Sequence, residues 1–351
     1  MTPWPTIWRS TFWLIAAMGA VILRAEAFDN AKTQSADGSV VKSCTSVVAQ
    51  VIQIPNSNGL PAQVTRCLNE GETPRGAVVF LNGGPGAPPK PLPDWITTLA
   101  LSAGYDVVSP LYSGTWSRPD NVPVKGSDFA KYDKITPAIR DVQDTLAWAK
   151  DRYPQVILGG SSAGGYLAAA SCSGRCADGI LMIAPLVQSP KELWDTVVKE
   201  STDIVALDKQ DIRDGKGQAA DLSTLSPNDA QNYRRFLAIG FYGQVFYERS
   251  LFEILSKADK SIPKLIIVGL DDTRIGINRL SDIRAHQVAL GLYLVELPGI
   301  DHQTVSGGSS QPFIYSFFHD TRNKGKLANP SGECTAVKAG MTLSCQAPSR
   351  N

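Results

Sequence analysis

Short apolar runs recur along this chain, each bounded by glycine, proline or polar clusters. Residues 77–81, 156–158, 180–186 and 264–268 are of this kind. Such runs between turn signals predict strands buried on both faces. Residues 105–110 and 291–297 predict two more. Helical spacing lies between them, at 95–102, 280–290 and 312–319. It is clearest in Ile139, Val142, Leu146 and Ala149, which follow Thr136-Pro137. That pair reads as an N-cap and the first helical residue. Ahead of this region, residues 45–54 and 62–67 predict a hairpin around the turn cluster 55–59. Strands that alternate with helices from 77 to 319 imply an α/β architecture. Its mostly parallel sheet is expected to carry helices on both faces.

The alternation breaks from Gln188 to about Ser261. That stretch is longer than a simple crossover. It carries helical segments at 232–239 and 245–255 and crowds Phe236, Phe241, Tyr242, Phe246, Tyr247 and Phe252 together. It reads as an inserted helical cap that controls substrate entry, with a crossover bearing surface helices as the alternative. The loop 111–125 carries Trp116, which either lines a pocket or plugs the loop onto the body. Residues 28–351 are expected to form one domain, ending in a small hairpin at 334–345.

Composition changes little in this picture. A 43% hydrophobic chain supports a sizeable core, and a formal charge of +1 without runs of like charge argues against nucleic acid or an anionic membrane as partner. The N-terminus changes more. Arg9 precedes an apolar run from Thr11 to Leu23, and Ala25-Glu26-Ala27 offers small residues at a cleavage site. Residues 1–27 therefore read as a signal peptide, with an uncleaved anchor as the alternative. The run is short for a bilayer span of about 20 residues, so no stable membrane anchor is expected. The protein is expected to be exported, to a periplasm or outside the cell. Six cysteines follow the cleavage site, and an even count in an exported chain reads as disulfides. Proximity favours Cys44–Cys67, Cys172–Cys176 and Cys334–Cys345 over a zinc site, since no finger-like second pair or nearby histidine exists.

The candidate chemistry centres on Gly160-Ser161-Ser162-Ala163-Gly164, set between the apolar run 156–158 and the alanine-rich start of a helix. A strand that reverses at once into a helix holds its central residue in a strained turn. The hydroxyl of Ser162 then projects at the head of the helix, where backbone N–H groups face a developing anion. Serine is a poor nucleophile unless a base is adjacent and a carboxylate orients that base. The chain has three histidines. His286 lies among charged residues of a helix and reads as a surface residue, and His319 beside aromatics reads as structural. His302 follows a strand and Pro298-Gly299, in a loop that could reach the elbow. Asp271 and Asp272 follow the preceding strand. Asn82-Gly83-Gly84-Pro85-Gly86 leaves another strand end, where bare backbone N–H groups suit an oxyanion.

With serine, acid and histidine in that order, each at a strand end, the chain resembles an α/β-hydrolase from about 77 to 319. The segment Gly160 to Ala168 is similar to the elbows of prolyl-oligopeptidase-type peptidases and hormone-sensitive-lipase-type esterases. The 82–86 turn resembles the His-Gly-Gly-Pro-Gly turn of proline iminopeptidases, with Asn82 in place of histidine. The family's acid stands three residues after the glycine that ends its strand, which points to Asp272, three after Gly269. The resemblance implies hydrolysis of an ester or amide by Ser162, Asp272 and His302. Ala163 with Gly84 (or Gly83) would supply the oxyanion N–H groups. A carboxylesterase is the leading expectation, a peptidase on a short peptide the second, and a non-catalytic binding domain of the same fold the third. Acidic residues such as Glu248 or Glu253 would favour the peptidase if they faced the pocket to hold a substrate amine. No metal or organic cofactor is implied, and the oligomeric state is left open.

Overall fold

A computed structural model describes residues 47–54, 61–67, 73–83, 94–110, 135–189, 191–192, 249–273, 279–305, 310–320 and 342–344. In chain order the elements begin with β1 (Val47–Gln53), β2 (Pro61–Cys67), β3 (Gly76–Leu81), α1 (Asp94–Ser102) and β4 (Tyr105–Pro110). There follow α2 (Ile135–Lys150), β5 (Val156–Ser161), α3 (Ala163–Ser171), β6 (Gly179–Ile183), α4 (Leu251–Leu255) and β7 (Lys264–Gly269). The described chain closes with α5 (Leu280–Leu290), β8 (Leu292–Leu297), α6 (His302–Val305), α7 (Gln311–Asp320) and β9 (Thr342–Ser344).

These strands form one sheet in the order β1-β2-β4-β3-β5-β6-β7-β8-β9. The 45–67 region pairs as the expected hairpin, with Val47 opposite Cys67. Strand β2 then runs antiparallel to β4, and every pairing from β4 to β9 is parallel. The continuous apolar runs follow from this, because both faces of the central strands are covered. Val79, Leu158, Met182, Ile266 and Leu294 pack with α2 to α5 on one face. Their neighbours Val78, Ile157, Leu181, Ile267 and Val295 point the other way, toward α1 and α7.

Element ends differ from expectation where capping decides them. Helix α2 starts at Ile135, so Thr136 is not its N-cap, and Pro137 sits in the first turn where a missing N–H is tolerated. Strand β6 stops at Ile183 because Ala184 turns to φ 42°. The helix expected over 245–255 is interrupted at the described residues 249–250. Ser250 is the N-cap of α4, in a reciprocal capping box with Glu253. Ser250 N–H donates to Glu253 Oε2 at 2.6 Å, and Glu253 N–H donates to Ser250 Oγ at 3.4 Å. Glu253 is thus committed to a helix cap, not to a substrate amine. Phe252 is buried and stacks on His286, with ring centroids 4.2 Å apart, so it belongs to the body. Leu251 N–H donates to the Val187 carbonyl at 3.0 Å, and the Tyr166 hydroxyl donates to the Arg249 carbonyl. Val187 and Leu251 therefore meet beside α3, where Arg249 is tied to Tyr166.

Cys172 and Cys176 are joined in a disulfide at the end of α3. The loop they close is docked, since Gly174 N–H donates to Lys257 O and the Gly174 carbonyl accepts from Asp259 N–H. Cys44, Cys334 and Cys345 lie outside the described residues, as do the signal segment, Trp116, the bulk of the 188–261 stretch and most of the 334–345 hairpin.

A partly buried polar cluster, with Arg66 at its exposed end, ties β2 to the parallel strands. Tyr153 donates its hydroxyl to Asp106 Oδ2 at 2.8 Å, and Arg66 approaches the same oxygen at 3.2 Å. Burial pushes the Asp106 carboxyl above its ordinary value, against the lowering pull of Tyr153 and Arg66. Burial, then Asp106, pushes the Tyr153 hydroxyl up to about 12. A carboxyl with a raised folded pKa binds protons more tightly in the folded state, so stability falls as pH rises from the unfolded to the folded value. Tyr153→Phe removes the donor that favours the ionised form. It is expected to destabilise the protein by about 1.5–3 kcal/mol, with a larger loss at pH 7 than at pH 4 in urea unfolding. An equal loss at both pH values would show that the Tyr153 hydroxyl supports the protonated and the ionised carboxyl alike.

Candidate active site

Strand β5 ends at Ser161 and helix α3 begins at Ala163, leaving Ser162 alone in the turn at φ 54° and ψ −124°. A non-glycine residue holds such a conformation only when its surroundings enforce it. Here four hydrogen bonds do so. Ser162 N–H donates to Ile183 O at 2.8 Å, and the Ser162 carbonyl accepts from Gly165, Tyr166 and Leu186 N–H at 3.0, 3.3 and 3.3 Å. The last donor arrives because Ala184 turns the chain at the end of β6.

Gly160 and Gly164 are required by close approach. A Cβ on Gly160 would lie 2.3 Å from Gly164 O, and one on Gly164 would lie 2.3 Å from Leu81 O and 2.5 Å from Asn82 O. All three obstacles are backbone. Gly164→Ala is therefore expected to push the β3 exit off the elbow, and both soluble yield and activity should fall at least about tenfold. A well-folded, fully active variant would show that this contact yields freely.

The β3 exit packs directly on the serine. The space where a Gly83 Cβ would lie is 2.8 Å from Ser162 Cβ, so the Gly83 backbone passes beside Ser162. Ala163 opens α3, and its N–H has no carbonyl one turn earlier in the helix. Gly84 lies outside the described residues.

Asp272 and His302 come from the next strand ends. His302 Nδ1 is 2.7 Å from Asp272 Oδ2, with the Asp272 side chain 1% and the His302 side chain 14% exposed. The neighbouring Asp271 is exposed, and its backbone N–H donates to Ile300 O at 3.1 Å. Because β5, β7 and β8 are parallel, Ser162, Asp272 and His302 all leave the same edge of the sheet, outside the carboxyl ends of its strands. Ligands of open α/β sheets bind there. A carboxylate behind Nδ1 fixes the imidazole tautomer and leaves Nε2 as the proton acceptor.

His286 is exposed on α5 with Nδ1 2.8 Å from Asp282 O, remote in the fold from the elbow edge. His319 falls in α7. Sequence reading passed over Asp301, which caps α6, and Ala184. The first had a signal, an Asp three residues before Thr304, but no long helix followed it. Among the described residues no three His, Cys, Asp or Glu side chains converge as a metal site, and no helix is long and apolar enough to cross a membrane.

No protein-family model matches the chain, and no curated protein does. Solved structures do. DcsB, in complex with its substrate analogue, is 17% identical, with a TM-score of 0.52 over 79% of this chain and 99% of that one. A puromycin hydrolase and a Mycobacterium tuberculosis puromycin-hydrolysing peptidase are each 16% identical, with TM-scores of 0.51 and 0.50 over 80% of this chain. The chain spans 40% of the length of those two enzymes. The class of protein is therefore defined by its fold, and the fold is that of the α/β-hydrolases.

Proposed function

We propose that the protein is an exported serine hydrolase of carboxylesterase type. Ser162 attacks an ester carbonyl while His302 Nε2 takes its proton. The tetrahedral oxyanion is held by the N–H of Ala163 and of Gly84 or Gly83. His302 then protonates the departing alcohol, leaving an acyl group on Ser162. Water attacks the acyl-enzyme by the same proton route and releases the acid. Asp272 orients His302 and stabilises the imidazolium that forms.

The observation that carries this reading is the 2.7 Å contact of His302 Nδ1 with the buried Asp272, on the sheet edge where strained Ser162 stands. The peptidase alternative shares all of these residues. It draws on the puromycin-hydrolysing structures, but it loses Glu253, which the α4 cap occupies. Export, the pairs Cys44–Cys67 and Cys334–Cys345, and control of entry by the insertion belong to the same proposal.

The deciding experiment is labelling of the purified protein by a fluorophosphonate probe, followed by turnover of p-nitrophenyl esters and aminoacyl amides. Labelling at Ser162 with ester turnover supports the esterase. Faster amide turnover would move the assignment to the peptidase. Neither labelling nor turnover would leave the binding-domain reading.

A further inference from the structure

Strands β7 and β8 leave the sheet side by side, and their exits are locked together backbone to backbone. Leu270 N–H donates to Leu297 O at 3.0 Å, and Asp271 N–H donates to Ile300 O at 3.1 Å. The lock is tight, because a Cβ on Gly269 would lie 2.2 Å from Ile300 O. Ile300 itself is buried. Asp272 is thus held by one side of a rigid pair of loops, and the other side is rigid as far as Ile300.

Beyond Ile300 these backbone ties stop. His302 opens α6, a helix of four residues. A single turn is too short to be stable by its own hydrogen bonds. Two things hold it. Val305 is fully buried at its end, and Asp301 caps its start. Asp301 Oδ1 accepts from Gln303 N–H at 3.0 Å, Thr304 N–H at 2.8 Å and Thr304 Oγ1–H at 2.6 Å. Asp301 N–H donates back to Thr304 Oγ1 at 3.0 Å, and Val305 N–H donates to Asp301 O at 2.9 Å.

We infer that Asp301 is the positioning residue of this site: its side chain sets the turn that aims His302 Nδ1 at Asp272. The role rests on the proposed triad but uses no atom of a substrate. The two aspartates beside His302 divide the work. Asp272, buried, meets the ring directly, and Asp301, exposed, meets only the backbone and the hydroxyl of the turn that carries it. Thr304, through its hydroxyl and then its N–H, holds the Asp301 carboxyl below the ordinary carboxylate value, with Gln303 N–H and nearby His302 adding to the effect. A carboxyl with a lowered folded pKa stabilises above its unfolded value and loses that contribution as pH falls through the folded one. The cap is therefore intact at neutral pH.

The test compares Asp301→Ala with Asp301→Asn and Asp301→Ser in the full chain. Asparagine and serine keep a capping oxygen and drop the charge, whereas alanine keeps neither. Two readouts are needed. One is kcat and KM on p-nitrophenyl acetate. The other is the downfield proton NMR signal of the His302–Asp272 hydrogen bond, which requires no turnover. Asp301→Ala is expected to lower kcat by about 10–100-fold with little change in KM, and to broaden or abolish the downfield signal. Asparagine and serine should restore both to within about threefold. An alanine variant with wild-type kcat and an unchanged signal would overturn the inference. So would asparagine and serine variants as impaired as alanine, since the cap would then not be the cause. Should Ser162 prove not to be the nucleophile, the proposed function fails, but the NMR comparison still decides whether Asp301 positions His302.

Discussion

Ser162→Ala is expected to reduce ester hydrolysis by about a million-fold and to abolish fluorophosphonate labelling, with the fold unchanged. The turn supplies the reason. Ser162 stands at φ 54° between β5 and α3, and its backbone is held from four directions. None of those bonds uses the hydroxyl, so removing it takes away the proposed nucleophile and leaves the elbow standing. Ser161→Ala is the control. Ser161 is the last residue of β5, pairs with Ile183 and is half-buried, and its loss should alter kcat by no more than about threefold. Active-site-normalised kcat and a thermal melt on each variant check the pair. Near-wild-type turnover after Ser162→Ala, or a larger loss after Ser161→Ala, would move the nucleophile.

Asp272→Asn should come next, with kcat lower by about ten-thousand-fold, while Asp271→Asn stays within about threefold of wild type. The neighbours are used in opposite ways. Asp272 turns a buried carboxylate to His302 Nδ1 at 2.7 Å. An amide there can present N–H to the ring and stabilise the tautomer that cannot accept the serine proton. Asp271 contributes its backbone N–H to Ile300, which asparagine keeps, and its carboxylate is exposed. Steady-state kinetics of both variants settle the ranking, and the reverse order would reassign the acid.

Much of this architecture can be read in the sequence because it is written in short-range patterns. An apolar run, two glycines and a helix start define the elbow within the segment Val156 to Ala170. The alternation of strands and helices then places every later strand end on one edge. Two misreadings share a physical cause, which is that apolar residues continued through a stop. Ala184-Pro185-Leu186 reads as more of β6, yet Ala184 turns to positive φ there. Residues 245–255 read as one helix, although the Ser250-x-x-Glu253 box marks a start inside it. Capping outweighed periodicity in that case. The Arg66–Asp106–Tyr153 cluster had no local signal at all, because its members meet only after β2, β4 and the end of α2 are assembled.

The single hydrogen bond from Leu251 N–H to Val187 O has a consequence for how such a chain can diverge. The two ends of the segment between those residues are held together at this point. The entropy of closing a loop grows only with the logarithm of its length, at about 0.6 kcal/mol for each doubling. Strands β6 and β7 can then pair almost equally well across a short excursion or a long one. Lengthening, shortening or exchanging this segment leaves the elbow and the locked β7–β8 exits standing. On the proposed function, substrate preference can drift here while the carboxyl edge of the sheet stays as it is.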